Sequence, residues 1–91
     1  MTVSIDHNTD AHQFEYHHDG EVAVLAYSLS NGVISLTHTY VPSQWRGQGI
    51  AAQLHQAAFD FIRQADLRVR PLCSYSQSYV QRHPELHALK D

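Results

Sequence analysis

Residues 44–49, which run from Gln44 to Gly49, combine residue types that can bind an anion. Gly47 and Gly49 lie one residue apart, and glycine accepts the tight backbone conformations that bring N–H groups close to a ligand. An amphipathic run with helical spacing follows, so the unpaired N–H groups and positive dipole of a helix start would lie beside these glycines. Arg46 adds a cation. The pattern predicts a site for phosphate or pyrophosphate, and hence for a phosphorylated cofactor.

Cys73 is the second residue with a chemistry of its own. It follows Leu72 and precedes a predicted helix start at Ser74, and a thiol at a helix N-terminus can have a lowered pKa and act as a nucleophile. The alternative is that the side chain serves as a small buried apolar group, which is common for a free cysteine. Both interpretations stay open from the sequence.

Three strands are predicted before the glycine loop, over residues 13–17, 22–29 and 33–41. They alternate polar and apolar residues or are rich in β-branched residues. Asp19-Gly20 and Asn31-Gly32 separate them, and both dipeptides are strong signals for two-residue hairpins. The three strands therefore form an antiparallel meander, and residues 1–11 are expected to be a loose N-terminus.

Two helices and one strand are predicted after Pro42. Apolar residues recur at helical spacing over residues 47–65, with His55 on the exposed side of that helix. A fourth strand spans 67–72, a second helix runs from Ser74 or Ser76 to about Arg82, and residues 85–89 form one more turn. The fold class is α+β, in the order β-β-β-α-β-α with the helices packed on the sheet, and residues 1–91 form a single domain.

Composition excludes several classes of protein. The chain has 91 residues, 43% of them hydrophobic, and a net charge of −3, which suits one small globular domain. Its six Lys and Arg residues are scattered, so no nucleic-acid surface is expected. No apolar run approaches the length of a membrane span, and the single cysteine excludes an internal disulfide, so a cytoplasmic location is expected.

The eight histidines do not form a recognisable metal site. His17 and His18 are neighbours on a strand and point to opposite faces. His83 and His87 have helical spacing, but Pro84 interrupts the helix between them. With no cysteine pair or acidic cluster nearby, no metal is expected.

Dinucleotide binding is the alternative use of the glycine loop. Gly47, Gly49 and Ala52 satisfy the G-x-G-x-x-G/A pattern. That pattern requires parallel βαβ units, whereas the strand before this loop ends an antiparallel meander. The next strand also carries Arg68 and Arg70 rather than a ribose-binding acid, and the chain is too short. We therefore reject this interpretation.

Several motifs together resemble the GNAT acyltransferase superfamily. Gln44, Gly47 and Gly49 fit its cofactor motif of Arg or Gln, two residues, Gly, one residue, then Gly or Ala. The resemblance is closer to a subgroup of very small stand-alone GNAT-like proteins. Their pattern recurs here as Pro42, the RGQGIA segment at 46–51, the PLCSY segment at 71–75 and the HPE segment at 83–85. The similarity covers roughly residues 12–89.

The resemblance implies where coenzyme A and its acyl group would lie. In this superfamily the loop N–H groups hold the pyrophosphate, and the pantetheine arm pairs with the preceding strand, here near Tyr40 and Val41. The thioester then lies between that strand and the next, close to Cys73. A tyrosine after that next strand often protonates the leaving thiolate, which makes Tyr75 or Tyr79 the candidate general acid. Tyr79 packing in the core with its hydroxyl at the edge is the structural alternative.

The implied site residues fall into two groups. The cofactor-binding candidates are Tyr40, Val41, Gln44, Trp45, Arg46, Gly47, Gln48, Gly49, Ile50, Ala51 and Ser74. The catalytic candidates are Cys73, Tyr75 and Tyr79. Trp45 would flank the adenine or the phosphates, or simply cover the helix start. His38 could be a base for an incoming amine, although a partly exposed sheet histidine is the favoured interpretation.

The expected function is an acyl-CoA-dependent N-acyltransferase that uses acetyl-CoA and an amine acceptor of unknown identity. A non-catalytic module that binds CoA or acyl-CoA is the alternative, and a small interaction domain with a decayed loop is a third. Full-length GNAT enzymes have N-terminal helices that shape the acceptor pocket, for which this chain has little room. The acceptor would then be large and exposed, or a homodimer would complete the site; the chain is expected to be a monomer or a homodimer.

Overall fold

The structure, a computed structural model, describes residues 3–91. Over this range the chain forms a five-stranded sheet, two α-helices and two 3-10 helices. The elements are β1 (Asp6–Asn8), β2 (Gln13–His18), β3 (Glu21–Ser30), β4 (Val33–Tyr40), a 3-10 helix (Ser43–Trp45), α1 (Ile50–Gln64), β5 (Arg68–Pro71), α2 (Ser74–Arg82) and a second 3-10 helix (Pro84–Leu89). The α+β class expected from the sequence is confirmed.

The sheet is mixed, with strands in the order β1-β2-β3-β4-β5. The first four strands are antiparallel neighbours, and β5 pairs in parallel with β4 after the chain crosses over through α1. Asp19-Gly20 and Asn31-Gly32 both adopt positive φ, at 50° and 77° and at 53° and 78° respectively. Positive φ at both central residues matches the right-handed twist of a hairpin, so these dipeptides form the predicted tight turns.

The predicted loose N-terminus is wrong for part of its length. Residues Asp6–Asn8 form β1 and pair with Gln13–Glu15 of β2, and the His7 ring stacks on Phe14 at 4.1 Å. The prediction failed because three polar residues carry no alternating pattern, and the strand exists only through its pairing with a partner. The meander therefore has four strands instead of three. Residues 1 and 2, also in the predicted loose segment, lie outside the described residues.

Helix α1 begins at Ile50, three residues later than predicted. Gly47 and Gly49 have φ of 82° and 80°, which is left-handed backbone and cannot belong to an α-helix. Residues 43–45 form a 3-10 helix before these glycines. The glycine loop is therefore a separate structure that re-aims the chain before the helix starts.

The core lies between the sheet and the two helices. Alternate residues of β3 and β4, including Leu25, Ile34 and Leu36, are fully buried, as are Leu54 and Ile62 of α1. Helix α1 packs against β2, β3 and β4, while α2 contacts α1 and β5. Both helices thus pack on the sheet, as the sequence predicted, and they share one of its faces.

A bulge in β4 reverses the direction of the side chains that follow it. Pairing with β3 steps from Tyr27↔Leu36 to Ala26↔His38, so Thr37 is an extra residue. Such an insertion exchanges the two faces of a strand. Thr39 consequently pairs with the buried Leu25 and faces the helices.

Candidate active site

A cleft opens where β4 and β5 separate. The two strands pair as far as Leu36 and Pro71, and the Leu36 carbonyl accepts the N–H groups of both Leu72 (3.0 Å) and Cys73 (2.9 Å). Beyond this point the ends of the strands and the starts of α1 and α2 enclose a volume of about 510 Å³. Its lining consists of Thr39, Val41, Trp45, Arg46, Gly47, Gly49, Ile50, Ala51, Cys73, Ser74 and Tyr75.

The glycine loop forms one end of the cleft. Gly49 precedes α1, and its carbonyl accepts the Gln53 N–H at 3.1 Å. The N–H groups of residues 50–52 come before this hydrogen bond and have no carbonyl partner within the helix. The first turn contains no acidic residue. A Cβ added at Gly47 or Gly49 would meet no heavy atom within 4 Å. The backbone is therefore open on this side and electrically positive, which suits an anion.

Trp45 and Arg46 connect the loop to the sheet in different ways. Trp45 is buried, and its ring lies 5.2 Å from that of Tyr16 and 6.2 Å from that of His18. Arg46 is exposed, and its Nε donates to the Val41 carbonyl at 3.4 Å. Trp45 thus holds the loop against the sheet, and Arg46 supplies a cation at the rim.

Three predicted cofactor residues do not line the cleft with their side chains. The Gln44 amide donates to the Glu21 carboxylate, and the Gln48 amide donates to the Gln44 carbonyl at 3.3 Å. Tyr40 is 48% exposed and lies on the opposite face of β4 from Thr39, because successive strand residues alternate and the bulge turns Thr39 towards the helices. Their roles in binding a cofactor stay predictions.

Cys73 lies at the other end of the cleft, immediately before α2. Its sulfur is 3.3 Å from the Thr39 hydroxyl. Burial raises the pKa of the thiol, but the Thr39 hydroxyl, the N–H groups of Ser76 and Tyr75, and the Ser76 hydroxyl outweigh burial, so that the pKa is lowered overall. A thiol in this position has more thiolate character than an ordinary cysteine, as the helix start predicted.

The structure separates the two candidate tyrosines. Tyr75 is half-buried and lines the cleft. Tyr79 is 8% exposed and lies between the two helices, with its ring stacked on Phe59 at 5.8 Å and on His83 at 4.2 Å. Burial raises the pKa of Tyr79. Of the two hydroxyl-bearing side chains, only that of Tyr75 is among the residues that line the cleft.

Three residues of this region, His55, Ser76 and Thr39, were not among the predicted site residues, and the predicted exposure of His55 is wrong. His55 is fully buried, whereas it was predicted on the exposed side of its helix. Its signal was present, because Ala51, Ala58 and Ile62 share its helical spacing. Ser76 is also fully buried and meets His55, with 2.7 Å between the hydroxyl oxygen and Nε2. Thr39 could not be found from alternation, because only the bulge turns it towards the cleft.

Within residues 3–91, no helix is long and apolar enough to cross a membrane. Over the same residues, no three His, Cys, Asp or Glu side chains come together in a group that could hold a metal ion.

Comparison with known proteins identifies the family. The sequence profile of the GCN5-related N-acetyl-transferase family matches residues 13–89, and the chain belongs to this family. Among its relatives is Protein NATD1. The mouse protein is 36% identical over 85 residues, which are 90% of this chain and 77% of the relative, and the human protein is 36% identical over the same length, covering 90% and 75%. The Xenopus tropicalis protein is 36% identical over 86 residues, covering 91% of this chain and 79% of its own. The resemblance drawn from the motifs is thereby confirmed.

Proposed function

We propose that this protein is an acyl-CoA-dependent N-acyltransferase, with acetyl-CoA as the acyl donor and an amine as the acceptor. One observation carries the proposal: a single cleft has the open glycine loop at one end and a thiol of lowered pKa at the other. Membership of the GCN5-related N-acetyl-transferase family supports the same reaction class.

The donor would enter with its pyrophosphate at the loop. The N–H groups of the loop and of the first turn of α1 would bind the phosphate oxygens, with Arg46 as a cation beside them. The pantetheine arm would follow the end of β4 near Val41. The thioester would then reach the end of the cleft where Thr39, Cys73 and Tyr75 meet.

Acyl transfer in this cleft would proceed through Cys73. Its thiolate sulfur forms a bond to the acyl carbon, the bond from that carbon to the CoA sulfur breaks, and the CoA thiolate leaves. Tyr75 donates its proton to that CoA thiolate. The neutral amine then attacks the acyl-cysteine, the tyrosinate takes the amine proton, and the Cys73 thiolate is released as the leaving group.

Calorimetric titration with acetyl-CoA, CoA and ATP tests the cofactor site. We expect Gly47→Asp to weaken acetyl-CoA binding by at least about tenfold, because it puts a negative charge where the pyrophosphate would lie. Gly20→Asp is the matched control, because Gly20 has nearly the same φ, 77° against 82°, and lies in a hairpin turn. It should bind acetyl-CoA like the native protein.

Each outcome of the titration leads to a different conclusion. Failure of the native protein to bind acetyl-CoA or CoA would overturn the proposal. If acetyl-CoA binds, release of free CoA thiol is then measured with a set of primary amines and lysine peptides. Binding without acceptor-dependent release would favour a non-catalytic acyl-CoA-binding module over a transferase.

A further inference from the structure

A side cavity adjoins the candidate active site, in the surface groove between α1 and α2. It encloses about 420 Å³ and is lined by Ala52, Gln53, Gln56, Tyr75, Tyr79, Arg82 and His83. Tyr75 lines both the cleft and the side cavity. In the first turn of α1, Ala51 lines the cleft and the next residue, Ala52, lines the side cavity. A ligand bound at the glycine loop therefore has a second space within one turn of the same helix.

The side cavity has positive charge and no carboxylate in its lining. Arg82 supplies the charge, His83 lies beside it, and no Asp or Glu is among the described residues that line the cavity. A further cavity along the same groove differs, because Asp60, Arg63 and Glu85 line it together. A cation with no carboxylate next to it favours an anionic ligand.

The guanidinium of Arg82 forms no ion pair and no hydrogen bond within residues 3–91. It lies over the Tyr75 ring, with Cζ 5.9 Å from the ring centroid, which is a cation–π contact. Its N–H donors, which can bind a phosphate or carboxylate in a bidentate manner, are thus available to a ligand. Each of the other arginines already contacts an oxygen of the protein: Arg46 that of Val41, Arg63 that of Asp60, Arg68 that of Ala88 and Arg70 that of Asp91.

A ligand of the cleft can carry an anion to this place from either of two sources. Coenzyme A has a phosphate on the 3′ position of its ribose, next to the pyrophosphate that the glycine loop would bind. An amine acceptor can carry a carboxylate or phosphate of its own, and its amine would react beside Tyr75, over which Arg82 lies. Both sources present the same chemistry, an oxyanion joined to a ligand in the cleft.

We propose that the side cavity is a second oxyanion subsite, in which Arg82 binds a phosphate or carboxylate group of a ligand that occupies the cleft. This inference rests on the proposed function, because it takes the ligand to be acyl-CoA or its amine acceptor. The side-chain amide of Gln56, which forms no hydrogen bond within residues 3–91, is a further donor in the lining. Binding at both the glycine loop and Arg82 would select ligands with an anion at the second position.

Calorimetric titration with acetyl-CoA and with 3′-dephospho-acetyl-CoA tests the acyl donor as the source of the anion. These two ligands differ by the 3′-phosphate alone. If the donor is the source, the native protein should bind acetyl-CoA at least about tenfold more tightly, and Arg82→Gln should reduce this ratio below about twofold. Arg82→Lys keeps the charge and should retain most of the ratio.

Release of free CoA thiol with pairs of lysine peptides tests the acceptor as the source. Within each pair a Glu beside the lysine is replaced by Gln, so that the peptides differ by one negative charge. If the acceptor is the source, the native protein should acetylate the Glu peptide at least about fivefold faster at limiting peptide concentration. Arg82→Gln should then remove this preference and leave the ratio of the two CoA affinities unchanged.

Arg63→Gln is the matched control. Arg63 lies in the last turn of α1 as Arg82 lies in the last turn of α2, so each can stabilise the C-terminus of its helix. Arg63→Gln should keep both native ratios. The subsite is overturned if Arg82→Gln changes neither ratio, or if Arg63→Gln changes them to the same extent. Arg82 is exposed, so we expect its variants to fold, which circular dichroism checks.

The subsite and the proposed function fail in different ways. Equal affinity for both forms of acetyl-CoA, together with equal turnover of the Glu and Gln peptides, would keep the transferase and remove the subsite. A preference for the 3′-phosphate that depends on Arg82, without acceptor-dependent release of CoA, would keep the subsite and remove the transferase.

Discussion

Tyr75 and Tyr79 lie one turn apart on α2 and both contact the His55 ring, yet of the two only Tyr75 also lines the cleft. Tyr75 faces the cleft between β4 and the helix starts, whereas Tyr79 is packed between α1 and α2. The cleft combines apolar side chains such as those of Val41 and Ile50 with the glycine loop, Arg46 and the Cys73 thiol. The interhelical region instead holds stacked rings. Neighbouring turns of one helix can thus have different roles, with one turn contributing to ligand binding and the next to stability.

Paired substitutions of the same residue type in the two regions test this division. A cleft residue should change binding or the chemistry of Cys73 with little effect on stability. Its counterpart in the interhelical region should lower stability with little effect on binding or on Cys73. A counterpart on the outer surface should change neither.

The largest effect is expected for the tyrosines themselves. Tyr79→Ala should lower the free energy of unfolding by about 3 kcal/mol, because it removes a buried ring that stacks on Phe59 and His83. Tyr75→Ala should cost about 1 kcal/mol or less, because its side chain is less buried than that of Tyr79. Urea denaturation measures both. Equal destabilisation by the two substitutions would contradict the division.

The second effect is a loss of stability in acid that depends on His55. Folded His55 resists protonation down to a pKa of about 4, because burial penalises its charged form, whereas in the unfolded chain it titrates near 6.5. The unfolded state therefore binds more protons between these values, and stability falls as the pH falls through them. Between about pH 7 and pH 5 the loss should be about 2 kcal/mol.

His55→Gln should remove this part of the acid sensitivity, and urea denaturation at the two pH values measures it. His83→Gln should leave the acid sensitivity in place, because the His83 side chain is only partly buried. An unchanged pH dependence in His55→Gln would show that other groups cause the acid sensitivity.

The third effect is a loss of acetyl-CoA affinity when an arginine at the cleft is removed. Arg46→Ala should weaken acetyl-CoA binding by about fivefold to tenfold at low salt and less at high salt, because it removes a charge from the rim of the cleft. Arg63→Ala is the control, since Arg63 lies in the last turn of α1 and pairs with Asp60 at 3.8 Å. Calorimetric titration should find no change for Arg63→Ala. Equal weakening by both would indicate general charge attraction rather than a site.

The smallest effect is expected for the two threonines on either side of His38. Thr39→Val should raise the pKa of Cys73, because it removes the hydroxyl 3.3 Å from the sulfur while keeping the shape of the side chain. Thr37→Val should leave that pKa unchanged, since the exposed Thr37 hydroxyl donates to the Ala26 carbonyl of the neighbouring strand β3. Thiolate absorbance as a function of pH measures both. A shift with Thr37→Val alone would mean that the bulge does not set the direction of these side chains.

Local chemistry explains which parts of the fold were predictable. Asp19-Gly20 and Asn31-Gly32 accept positive φ, so the hairpins and the strands on either side of them follow from neighbouring residues. The start of α1 was misplaced because helical periodicity takes no account of the left-handed Gly47 and Gly49. Strand β1 was missed because its polar residues acquire strand structure only from pairing with β2.

The sequence by itself determined the α+β class, the hairpins, the glycine loop and the family, because each is written in contiguous residues of fixed spacing. Only the tertiary structure decided what faces the cleft. The bulge at Thr37 turned Thr39 towards Cys73, and the packing of α2 on α1 separated Tyr75 from Tyr79. The same packing brought His55 to Ser76, 21 residues away in the chain. Contacts of this kind depend on the register and packing of whole elements, which no local pattern of residues encodes.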